Sequence, residues 1–150
     1  MQLTRAADYA VRVMIHLAAI PPGTRINRDG LAVASEVPIH FLSKVLQVLV
    51  RARLIVAHRG ASGGFALAVP AEQVSLLRVV EAVEGPIALN VCATSGPGCS
   101  RQGWCPAHFV WLEAQDALTQ VLKNASIARL ASQAAAPRQD KKDKVVYPWN

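Results

Sequence analysis

The chain has 150 residues, 52% of them apolar and 17% charged, and a formal net charge of +6. This composition excludes global disorder and allows one domain with a real core, or one small domain with an appendage. The positive charge is uneven: residues 1–60 carry eight Lys/Arg against three Asp/Glu, while residues 61–136 carry four against five. A basic N-terminal part implies an anionic partner, most commonly nucleic acid.

In chain order, Leu3 to Ile20 reads as a helix with Thr4 as N-cap and Ala10, Val13, Met14, Leu17 and Ala18 as its apolar stripe. Pro21-Pro22-Gly23 ends it. A short helix is expected from about Asp29 to Val37, with Leu31, Ala32 and Ala34 facing inward. Pro38 opens a third helix to about Arg53, burying Leu42, Val45, Leu46 and Leu49 and showing His40, Ser43, Lys44, Gln47 and Arg51. Two helices joined by a tight turn, the second with a polar and basic outer face, suggest a helix-turn-helix. The next stretch strengthens that reading. Leu54 to Ala57 is a strand, the turn runs His58-Arg59-Gly60-Ala61-Ser62-Gly63-Gly64, and Phe65 to Val69 returns. Such a hairpin is a wing with Arg59 at its tip, where glycines permit close approach to a phosphate backbone and Arg suits phosphate or a narrow minor groove.

Ala71 to Glu84 is expected as one helix with Val74, Leu77, Val80 and Ala82 in the core, stopped by Gly85-Pro86. From Pro106 to about Asn124 a long helix places Val110, Trp111, Ala114, Ala117, Leu118, Val121 and Leu122 on one side. That spacing approaches a heptad seam and suits a second copy of the chain, although packing within the chain would use the same face. Ser126 to Ala135 is a short last helix, and the tail from Pro137 is a solvated extension. No apolar run approaches the roughly 18 residues of a membrane span and the N-terminus has no signal-peptide pattern, so no membrane partner is expected.

Between the last two long helices lies the run CATSGPGCSRQGWCPAH, which holds all three cysteines, Cys92, Cys99 and Cys105, with His108 behind them. An odd number of cysteines without a secretion signal points to a reducing cytoplasm and to metal or redox work. The Gly, Pro and Ser residues between them form loops, which let several thiolates turn inward on one soft metal or iron–sulfur cluster. Cys105 is placed at a helix start, where the positive end of the helix dipole favours a thiolate ligand. His108, three residues later, shares its face.

The residues MQLTRAADYAVR, HFLSKVLQVLVRARLI and RGASGGFAL, together with the three-cysteine loop, resemble the Rrf-two superfamily of winged-helix transcription regulators, from Met1 to about Ala131. The resemblance implies a homodimer on a near-palindromic operator in double-stranded DNA, with the third helix in the major groove and the wing on the flanking minor groove. It also implies an iron–sulfur cluster on Cys92, Cys99 and Cys105. His108 matches the fourth ligand of IscR-like members, implying a 2Fe-2S cluster. Asp8 matches the acid that the partner subunit supplies in NsrR-like members, implying a 4Fe-4S cluster and nitric oxide sensing; His108 is preferred. Two departures stand out. The first cysteine gap is one residue longer than in well-known cluster-binding members, and Arg53 stands where the family commonly has Gly.

The expected fold is therefore mainly α with a small β-hairpin wing. A winged helix-turn-helix occupies 1–85, a cysteine cluster-binding loop 86–104, a dimerisation helix and short last helix 105–136, and a flexible tail 137–150. The expected function is that of a cytoplasmic DNA-binding regulator, a repressor, whose operator binding responds to the cluster through redox, nitric oxide or cluster supply. One alternative keeps DNA binding but puts zinc or redox-active thiols in the loop, since three Cys and one His also satisfy tetrahedral zinc. Another is a cluster scaffold or small metal enzyme without DNA binding. Against an enzyme, the chain has no Ser-His-Asp candidate set, phosphate loop or HExxH run.

Overall fold

The computed structural model describes residues 2–94 and 98–135. The expected tail 137–150 lies outside the described residues, as do Ser95, Gly96 and Pro97 of the cysteine loop. The elements are α1 (Arg5–Ala19), α2 (Arg28–Ala34), α3 (Ile39–Arg51), β1 (Ile55–His58), β2 (Gly64–Leu67), α4 (Leu76–Glu84), α5 (Pro106–Asn124) and α6 (Ile127–Ala135).

Thr4 caps α1 as its residue type requires, its side chain accepting from the Ala7 N–H at 3.4 Å. Its own N–H donates to Glu84 at the end of α4, at 3.0 Å, which ties the first helix to the fourth. Ala10, Val13, Met14 and Leu17 are buried as the helical spacing requires. Asn27 caps α2 by accepting from the Gly30 N–H at 2.7 Å, which explains a helix start containing glycine.

The axes of α2 and α3 bend by 106°, within the range of helix-turn-helix pairs. A Schellman turn makes that bend: the Val37 N–H reaches back to the Ala32 carbonyl at 3.0 Å while Glu36 takes φ +54°. Leu31 is buried but Ala34 is exposed, contrary to expectation, because α2 has only seven residues and turns one side to the core. The inward face of α3 is Leu42, Val45, Leu46 and Leu49, all buried. Its end repeats the Schellman turn, with the Leu54 N–H on the Leu49 carbonyl at 3.0 Å and Arg53 at φ +55°.

β1 and β2 pair antiparallel with Val56 opposite Ala66 and His58 opposite Gly64. The hairpin is broadened by a bridge from Ile26 to Phe65, two hydrogen bonds of 3.1 and 2.9 Å just before α2. Gly64 is required there, because a Cβ would meet the Ile26 carbonyl oxygen at 2.6 Å.

The helix expected from Ala71 to Glu84 is interrupted. A single 3-10 turn covers Ala71–Gln73, Val74 is extended, and Ser75 caps α4 by accepting from the Arg78 N–H at 3.2 Å. The cause is pairing: Leu76 N–H donates to Ala125 and Ile127 N–H to Val74, at 2.7 and 2.8 Å, so the chain is held extended beside the α5–α6 junction. Val74, Val79 and Val80 are buried, whereas Leu77 and Ala82 are only half-buried. Helix α6 returns to pack on α1 and adds Ile127 to the core around Met14, Leu31 and Leu49. Among the described residues no single helix is long and apolar enough to cross a membrane; the apolar side of the α2–α3 pair is spent on the core.

Candidate nucleic-acid interface and metal centre

With Leu42, Val45, Leu46 and Leu49 turned inward, α3 presents His40, Lys44, Gln47 and Arg51 outward, with Ser43 half-buried between them. Beside it, the wing exposes Arg59, Gly60 and Ser62, while His58 and Gly63 are half-buried and Gly64 is buried. A Cβ on Gly63 would run into the His58 carbonyl, so the turn requires glycine at that position. Helix and wing thus form one continuous face with three cationic side chains, Lys44, Arg51 and Arg59.

Of two residues not singled out by the sequence, Arg28 belongs to this face and Phe41 borders it on the α1 side. A groove of about 550 Å³ runs between α3 and the hairpin, floored by Leu46, Val50, Ala57 and Phe65 and rimmed by Ser43, Gln47, Arg51 and Arg28. Arg28 opens α2, and the Ile26–Phe65 bridge brings that point of the chain beside the wing. Phe41, 43% exposed, lies against His40 and Tyr9 at ring separations of 4.4 and 5.7 Å. Its sequence signal was available: it falls on the outward side of α3.

The cysteines lie in the chain between the end of α4 and the start of α5. Cys92 is half-buried in a 3-10 turn, Val91–Ala93; Cys99 is exposed; Cys105 is half-buried and is the N-cap of α5, with Pro106 at its first position. All three thiols are free. His108 is the one fully buried residue of α5, 7% exposed, and its Nδ1 has no hydrogen-bond partner among the described residues. Leaving such a nitrogen unpaired costs roughly 1–3 kcal/mol, so a donor or a metal that engaged it would recover that cost. Among the described residues no three of the Cys, His, Asp or Glu side chains are gathered closely enough to hold a metal ion. Soft thiolates and an imidazole still suit a soft metal or iron–sulfur group, and such sites are drawn together by the group they bind. Asp8 is exposed on α1 in an ion pair with Arg12, Oδ2 to Nε 2.9 Å, which engages one of its two carboxylate oxygens.

Helix α5 serves two directions. Leu112, Leu118 and Leu122 are half-buried on the side packed against α4 and the Cys92 turn. On the other side Val110, Trp111, Ala114, Ala117 and Val121 are exposed, Val121 at 68% and Val110 at 59%. The seam read from the sequence is therefore split, with Leu118 and Leu122 used within the chain.

A helix-turn-helix, a two-stranded wing and a basic face on both define a winged-helix transcriptional regulator. The chain belongs to the Rrf2 family, whose model, described as an iron-dependent transcriptional regulator, matches residues 3–133. It is 31% identical over 145 residues to the HTH-type transcriptional regulator NsrR of Geobacillus kaustophilus, covering 96% of this chain and 99% of that one. It is 26% identical over 132 residues to the IscR regulator of Cronobacter sakazakii, covering 88% and 81%. Among solved structures, CymR, the global cysteine regulator of B. subtilis, has the same fold, with a TM-score of 0.74 at 24% identity over 89% of this chain and 98% of that chain. The relatives are transcriptional regulators rather than enzymes, and the family implies DNA binding.

Proposed function

We propose that the protein is a cytoplasmic repressor, working as a homodimer on a near-palindromic operator, whose DNA affinity is set by an iron–sulfur cluster on Cys92, Cys99, Cys105 and His108. The observation that carries the reading is His108, a buried imidazole whose Nδ1 has no hydrogen-bond partner among the described residues, on the helix that Cys105 caps. When bound, the cluster supplies a centre sensitive to oxygen, nitric oxide or redox state. The chain's own residues do the rest. His40, Ser43, Lys44, Gln47 and Arg51 meet base edges and phosphates, His58, Arg59 and the wing glycines follow the backbone, and the exposed α5 side (Val110, Trp111, Ala114 and Val121) pairs with a second copy. The ligand preference for His108 over Asp8 is supported by position, since His108 is buried on the helix that starts at Cys105 whereas Asp8 is exposed on α1.

A second reading places zinc or redox-active thiols in the same loop. Three Cys and one His also suit tetrahedral zinc, and Cys99 is exposed, with the Arg101 N–H donating to its Sγ at 3.4 Å, which leaves that thiol open to oxidants. The deciding experiment is anaerobic purification followed by iron, labile sulfide and zinc analysis with absorption spectra. Iron and sulfide in amounts comparable to the chain are expected. Stoichiometric zinc in a colourless protein would move the conclusion to zinc, and neither metal would move it to the thiols.

A further inference from the structure

Gln115 lies seven residues beyond His108 on α5, almost two full turns, and therefore on the same side of the helix. Its carboxamide makes two hydrogen bonds to one short stretch of backbone. The Leu89 N–H donates to Oε1 at 3.0 Å, and Nε2 donates to the Ala93 carbonyl at 3.2 Å. Cys92 stands between those two attachment points.

The remaining hydrogen bonds of that turn, among the described residues, are internal to it. Ala93 N–H donates to the Asn90 carbonyl at 2.9 Å, the Asn90 side chain accepts from Val91 N–H at 2.7 Å, and Thr94 bonds back to Val91. They shape the turn without attaching it to anything. Glutamine suits the attachment because one end of its amide accepts and the other donates, matching an N–H and a C=O four residues apart. A carboxylate would only accept, and an aliphatic side chain would do neither.

We propose that Gln115 is a positioning residue for Cys92, latching its turn to the side of α5 that carries His108, on the helix that Cys105 caps. The inference rests on these three residues being ligands of one centre. Three donors are then held to a single rigid element before anything binds, and Cys99 is left to close the site from the loop. Losing two neutral hydrogen bonds corresponds to roughly a 5- to 100-fold change in the holding equilibrium.

The test uses the full chain, reduced and metal-free, as wild type, Gln115→Met and Gln115→Glu, with circular dichroism as the folding control. Met fills the same space without the bonds, and Glu keeps only the bond to Leu89. Iodoacetamide labelling with peptide mapping reads each thiol, and cobalt(II) titration reads the assembled site. Both variants should label several-fold faster at Cys92 relative to Cys99, and cobalt(II) affinity should fall 5- to 100-fold. If the Cys92-to-Cys99 ratio matched wild type in whichever variant folds, the latch would be refuted. If the ratio rose while wild type bound neither cobalt(II) nor a reconstituted iron–sulfur cluster, the latch would stand and the ligand reading would fail.

Discussion

Arg53 shows how one residue can depart from a family's pattern and still be accommodated. At φ +55° it occupies the left-handed turn that ends α3, a conformation costing a residue with a Cβ roughly 1–2 kcal/mol. Its guanidinium makes no salt bridge among the described residues to offset that cost. Arg53→Gly should therefore raise stability, by about 0.5–1 kcal/mol after the added freedom of the unfolded chain is subtracted. Urea unfolding reads this directly, and a lower midpoint would show that the Arg side chain has a stabilising role. The nearby cations separate by position. Arg59 is exposed on the wing; if it contacts phosphate as proposed, Arg59→Ala should weaken binding to all sequences alike and reduce the salt slope by about 0.9 for each phosphate no longer neutralised. Lys44, on the outward side of α3, should instead relax sequence preference when changed to Ala, at about 1–3 kcal/mol for the preferred base. Fluorescence anisotropy at several salt concentrations distinguishes the two, and unchanged operator binding in both variants would remove α3 and the wing from the interface.

Elements were legible in the sequence where their signals are local, and illegible where distant pairing decided them. The buried stripe of α3 follows from spacing alone, and Thr4 and Cys105 sit at helix starts as their neighbours require. The break before α4 has no local signature, since Val74 is drawn into extended form by Ile127, more than fifty residues away. Arg28 was missed for the same reason, as was the role of α6 as a core helix on α1. Helix α5 gave a seam whose partner the sequence left open, and the structure divides it. Val110, Ala114, Ala117 and Val121 follow spacings of four, three and four on the exposed side. A charge at Leu118 would disturb packing within the chain, so Val110→Glu with Val121→Glu is the cleaner disruption of a dimer. That variant should sediment as a folded monomer with much weaker operator affinity, because two half-sites are no longer bound together. A stable dimer in the double variant would place the interface elsewhere.

At the scale of the whole molecule, the cysteine run joins α4 to α5. The winged helix is closed by α6 on α1 and by the Thr4–Glu84 contact. Helix α5 is packed less deeply, meeting α4 and the Cys92 turn and burying only His108 completely. A group that drew Cys92, Cys99, Cys105 and His108 together, as proposed, would therefore act on the seat of α5 against α4. In a dimer joined along α5, a change in that seat alters the spacing of the two α3 helices, which must match the helical repeat of DNA. A coupling of about 1–3 kcal/mol between the two conformers corresponds to a 5- to 150-fold difference in operator affinity. The coupling exists only if the thiol assembly favours one conformer, and repression by the assembled form is the direction expected here. Replacing Cys92, Cys99 and Cys105 together by Ala removes no fully buried side chain, so the variant should fold and dimerise. It should bind the operator at least several-fold more weakly than the protein purified anaerobically with its metal. Tighter binding by the variant would reverse the direction of the switch. Equal affinity of the two across every operator tested would make the loop a brace rather than a sensor.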